Sequence, residues 1–153
     1  MITKTKLAKL WKLSRNNESS SQVCGDFKVS SKDADNYNLN SKGCVMNDIE
    51  MIVQSIKAKM VDTIVCHSQI GTNINKSYLK NVKFYNSTIN VYSHGSVWDD
   101  VHFIDCKIEA LDLRYSRINV TFNNCQIDSL RTIESDGPIK FIDCLSKKVS
   151  LNE

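Results

Sequence analysis

Apolar residues recur along this chain at a fixed spacing. Phe84, Phe103, Phe122 and Phe141 lie 19 residues apart and are four of the five Phe. Two residues before them stand Val82, Val101, Val120 and Ile139. Three residues after them stand Ser87, Cys106, Cys125 and Cys144, and two further on Ile89, Ile108, Ile127 and Ser146. Counting by 19 adds a last inward column of Asn73, Tyr92, Leu111, Leu130 and Val149. Within each run, apolar and polar positions alternate as the pleat of a β-strand demands. A constant offset between identical columns means that each period makes one turn and lands on its predecessor, which is the logic of a solenoid. The column His67, Asn86, Asp105, Asn124 and Asp143 precedes the small residue. Asn and Asp tolerate left-handed backbone, so this column marks a corner.

The period divides further. Val101/Phe103, Cys106/Ile108, Leu111/Leu113 and Ser116/Ile118 step by five, and Val120/Phe122 follows after four. Thr72/Ile74, Ser77/Leu79, Val82/Phe84 and Ser87/Ile89 are another run of fives. This resembles the pentapeptide-repeat family, over about residues 63–151. The small residues of that pattern match Thr72, Ser77, Ser87, Cys106, Ser116 and Cys125. The large ones match Ile74, Leu79, Phe84, Ile89, Phe103, Ile108, Leu113, Ile118, Phe122 and Ile127. The resemblance implies a right-handed parallel β-helix with both residues of each pair pointing inward. The chain departs from the family in its 19-residue coil and in the scarcity of Asp or Asn directly after the small residue.

The region before the repeats is less regular. In residues 1–22, Leu7, Leu10, Trp11 and Ser14 share a helical face opposite Lys4, Lys6, Lys9, Lys12 and Arg15, which predicts a basic amphipathic helix followed by a polar linker. Residues 23–62 form an irregular segment and then a second helix over about 47–60. Asn47 and Glu50 have capping-box spacing there, and Ile49, Ile52, Val53, Ile56 and Met60 trace a stripe. That helix is expected to cap the β-helix of residues 63–153. The fold class is therefore all-β, a parallel β-helix with short coils and N-terminal helical segments.

Composition narrows the function without fixing it. The net charge of +3 is too small to argue for nucleic acid, and no apolar run has the length of a membrane span. An N-terminus without the apolar core of a secretory signal places the chain in the cytoplasm as an expectation. Cys106, Cys125 and Cys144 fall in register with the repeat, so they read as packed thiols rather than as a disulfide or metal framework. No metal or cofactor motif is present, and no enzyme activity is expected.

The coil before Val101 is the least regular. It carries Tyr92, His94, Trp98, Asp99, Asp100 and, just after it, His102. An exposed Trp among acids suits a protein contact, because Trp is a common hot-spot residue. Arg114, Arg117 and Arg131 cluster near Glu109, Glu134 and Asp136. The expected function is a non-enzymatic, rigid binding scaffold for another protein, such as an inhibitor or toxin-immunity protein in a bacterial setting. Stacking of β-helix ends into a homodimer is compatible with that shape. The family resemblance implies an alternative, a DNA-mimicking protector of a topoisomerase, against which the basic net charge counts. A carbohydrate-active β-helix is the third reading, and it calls for longer coils than these.

Overall fold

The computed structural model describes residues 11–15, 21–22, 27–30, 36–43 and 45–151. Among them every regular element is a strand. From Phe27 onward each strand pairs in parallel with a strand one turn away, giving a solenoid of about six turns. The described coils have four inward pairs per turn. In one coil these are Ser77/Leu79, Val82/Phe84, Ser87/Ile89 and Val91/Ser93. In the next they are Ser96/Trp98, Val101/Phe103, Cys106/Ile108 and Leu111/Leu113, and then Ser116/Ile118, Val120/Phe122, Cys125/Ile127 and Leu130/Thr132. All of these residues are buried. The large members fill the axis, where Phe84, Phe103, Phe122 and Phe141 stack at 4.9, 5.2 and 5.4 Å with nearly parallel rings.

The small members have a hydrogen-bonding reason to be small. An inward corner amide of one coil needs an acceptor that the strand ladder does not supply. Ile49 N–H donates to Ser68 Oγ at 3.1 Å, and Ser68 N–H donates to Ser87 Oγ at 3.2 Å. Ser77, Ser96 and Ser116 repeat the arrangement along another corner. Cysteine extends the ladder: Cys125 N–H points at Cys144 Sγ, and the Cys106 and Cys125 thiols donate to backbone carbonyls. The four described cysteines are free thiols. The neighbouring Cys106 thiol, together with burial, pushes the Cys125 thiol up, so it stays protonated and packs as a small apolar residue.

The corner column reads as the sequence implied. His67, Asn86, Asp105, Asn124 and Asp143 all have positive φ, between 47° and 54°. Side-chain amides link successive corners, as Asn124 Nδ2 donates to Asp105 Oδ1 and Asn81 Nδ2 to Asp62 Oδ1.

The fifth column does not read as expected. Val91, not Tyr92, lies beside Leu111, and Thr72, not Asn73, lies beside Val91. The turn is 19 residues only when counted between certain columns. From Ser77 to Ser96 and from Ser116 to Ser135 the separation is 19, but from Ser96 to Ser116 it is 20. In the earlier coil the missing residue is at the corner between Ile89 and Val91. In the later one it is between Ile118 and Val120, and the coil between them is complete. The short corner changes place, and a count from one Phe to the next is blind to it.

The expected capping helix over 47–60 is not a helix. Ile49–Cys66 is one long strand, with Ile49, Met51, Ile56, Ala58 and Met60 buried and Ile52 on the outside. Of the capping-box pair, Asn47 serves a corner instead, its Nδ2 donating to Oδ2 of Asp48, which takes the positive φ, and Glu50 lies in the strand ladder. Parallel pairing on both sides outweighs a helical stripe, which is a weak prior when a sheet is available. Of the basic segment expected as a helix, Trp11–Arg15 is a strand and residues 1–10 lie outside the described residues. The linker expected after it is described only at Ser21–Gln22, which pairs with that strand. Trp11–Arg15 runs antiparallel to Asn36–Lys42 and covers the first edge of the stack. Asn36–Lys42 and Val45–Asn47 pair one turn below Ile49–Cys66, so the irregular segment is itself coiled.

Candidate functional site

The six residues singled out by sequence separate in space. Trp98 is 1% exposed and occupies the large inward slot that Leu79 and Ile118 fill in neighbouring coils. Its ring centre is 6.2 Å from that of Phe103, and its indole N–H donates to Ser77 Oγ at 3.1 Å. It is a core residue, not an exposed contact. Asp99, Asp100 and His102 lie on one corner, where Asp100 has φ 56° and its carboxylate meets His102 Nε2 at 2.7 Å. Tyr92 and His94 lie on a different corner, and there they meet residues of the next coil.

That second corner holds a buried carboxylate. Asp112 sits between the inward residues Leu111 and Leu113, in an outward position beside Tyr92 and Arg131 in the strand ladder. It is nevertheless 2% exposed, and it is the one charged side chain fully buried among the described residues. Burial of an ionised carboxylate is costly unless it is paired and hydrogen-bonded. Arg114 provides both. Its backbone N–H donates to Asp112 Oδ1, and its guanidinium makes a forked contact, Nε to Oδ1 at 2.9 Å and Nη2 to Oδ2 at 2.8 Å. His94 Nε2 lies 3.0 Å from Asp112 Oδ1. Burial works to raise the Asp112 carboxyl. The hydrogen bonds from Arg114 and the neighbouring His94 outweigh it and hold the group below its ordinary range, so it remains ionised.

Asp112 thereby fixes the groups around it. Arg114 and His94 are locked from beneath, and Tyr115 packs edge-on against His94 with ring centres 6.2 Å apart. Tyr92 and Tyr115 are 45% and 57% exposed, and Ile133 is 43% exposed one coil on. Tyr115 takes the left-handed backbone of this corner, as Lys76 and Glu134 do in other coils. Its φ is 60°, a region that costs a bulky residue roughly 1–3 kcal/mol. The same corner is served by Gly95 one coil earlier, where the conformation is free.

The sequence held a signal for this corner in its arginines. Two of the four in the chain, Arg114 and Arg131, lie beside Asp112, whereas the lysines are spread along the chain's length. What it did not hold was the pairing of Asp112 with His94, which depends on the register between two coils. Among the described residues no group of three or more His, Cys, Asp or Glu is placed to hold a metal ion, and no helix is long and apolar enough to cross a membrane. Compared with protein-family models and with curated proteins, the chain matches none.

Proposed function

We propose that this protein is a non-enzymatic scaffold that binds another protein through the corner formed by Tyr92, His94, Arg114 and Tyr115. The observation that carries the reading is the exposed pair Tyr92 and Tyr115, set beside the buried Asp112 carboxylate that Arg114 engages on both oxygens. Tyr and Arg are the residue types that dominate protein interfaces, and preorganised side chains lose little entropy on binding. The coils are of a divergent pentapeptide-repeat type in this reading, supported by burial of every small and large position assigned to that pattern. A stiff wall of parallel strands suits a protein that covers and blocks its partner, as an inhibitor or toxin-immunity protein does.

The test separates stability from binding. Tyr115→Gly relieves the backbone strain and is expected to raise the unfolding free energy by about 1 kcal/mol while abolishing capture of the partner from a lysate of the native host. Lys83→Gln, on an outward row away from this corner, should capture as the natural protein does. Capture by Tyr115→Gly at the natural level would overturn the reading.

A further inference from the structure

Beside the buried carboxylate lies a groove of about 160 Å³, lined by Tyr92, Ala110, Leu111, Asp112, Ser129 and Arg131. It exists because of the complete coil. Ile89 and Val91 are separated by one residue, but Ile108 and Leu111 are separated by two, and the extra residue widens the strand at Ala110. Tyr92 stands on one side of Asp112 in the ladder and Arg131 on the other. Arg131 is exposed and has no ion-pair partner among the described residues. Asp112, its nearest acid in the ladder, is already engaged by Arg114 on both oxygens.

We propose that this groove receives a Glu or Asp side chain from an extended segment of the partner protein, with Arg131 as the receptor for its carboxylate. The proposal rests on the protein-binding reading above and names what the corner recognises. An unengaged guanidinium takes planar anions through a fork of two N–H donors, and both carboxylate and phosphate fit that geometry. The groove itself decides between them. The ionised Asp112 forms one wall, so a doubly charged phosphate meets more repulsion than a singly charged carboxylate. The Tyr92 ring offers an apolar surface for the methylene stem, and the Ser129 hydroxyl is available to a second oxygen. A nucleic-acid backbone presents phosphates only and lacks such a stem.

The test uses blocked peptides of alternating glycine and glutamate, with glutamine and phosphoserine counterparts, titrated into the full isotope-labelled chain by NMR. The glutamate peptide should shift the Arg131 side-chain N–H and the Tyr92 and Ser129 amides saturably. Arg131→Gln should weaken that binding about tenfold or more, with the remaining amide spectrum unchanged. Equal binding of the glutamine peptide, tighter binding of the phosphoserine peptide, unaltered binding by Arg131→Gln, or no binding of any peptide would each overturn the proposal. The two readings fail separately. If Arg131→Gln captures the native partner normally while Tyr115→Gly does not, the scaffold stands and the carboxylate site falls. If both variants capture normally, both fall.

Discussion

Phe103→Ala should lower the unfolding free energy by about 3–5 kcal/mol and the melting temperature by on the order of 10 °C. Phe103 is wholly buried and is an interior ring of the axial stack, 4.9 Å from Phe84 and 5.2 Å from Phe122, with Trp98 at 6.2 Å. Removing the ring loses its transfer energy, leaves a cavity between coils that cannot collapse, and removes aromatic contacts worth about 0.5–1.5 kcal/mol each. The backbone of a solenoid is held by ladders above and below, so it cannot close around the gap. The matched control is Phe141→Ala. Phe141 is 40% exposed and stacks on one side only, so its loss should cost about 1 kcal/mol. Equal losses from the two variants, measured by chemical denaturation, would mean that the rings do not form a core stack.

Gly137→Ala is the second large effect, and it works through backbone rather than cavity. Gly137 has φ 122°, and a Cβ there would stand 1.7 Å from the Ile118 carbonyl oxygen and 2.8 Å from its carbon. No rotamer relieves that clash, because both partners are main chain. The segment is drawn in by two hydrogen bonds, Ile118 N–H to Asp136 O at 2.7 Å and Val120 N–H to Pro138 O at 3.1 Å. Accommodating the methyl group breaks them. A loss of about 2–4 kcal/mol is expected, with faster amide exchange at Ile118 and Val120 and unchanged protection at Leu79 and Phe84. The localisation follows from solenoid architecture, in which each coil contacts only its neighbours. Unaltered exchange at Ile118 would contradict this placement of Gly137.

Much of the fold is legible in the residues. The Phe and Cys columns keep a separation of 19 through every coil, and each Phe lands on its predecessor. The corner column could be read because Asn and Asp are residues with an inexpensive left-handed conformation. Reading failed where the short corner moved. Counting Tyr92 and Val97 against Leu111 and Ser116 displaces that side by one residue. One residue in a strand exchanges inside for outside. The displacement put Trp98 on the surface and Tyr92 on the axis, whereas Trp98 fills the core and Val91 lines it. Ile49–Cys66 failed for a different reason: its apolar residues satisfy a helical stripe and a strand alternation at once, and only neighbouring coils decide between them.

The same displacement hid the corner around Asp112. Tyr92 and His94 were legible as irregular, but their partners Asp112, Arg114 and Tyr115 sit in a coil that reads as the most regular of all. Local sequence carries no trace that an outward Asp is buried. That follows from what the coil before it places overhead, namely His94 at 3.0 Å.

Everything proposed for the corner depends on the register between these two coils. The most direct measurement is of cross-strand nuclear Overhauser contacts between the coil of Val91–Trp98 and the coil of Leu111–Ile118. Backbone contacts pairing Val91 with Leu111, Tyr92 with Asp112 and Trp98 with Ile118 are the result required here. Contacts pairing Tyr92 with Leu111 and Val97 with Ser116 would mean a uniform turn of 19, a surface Trp98 and no Asp112 corner at all.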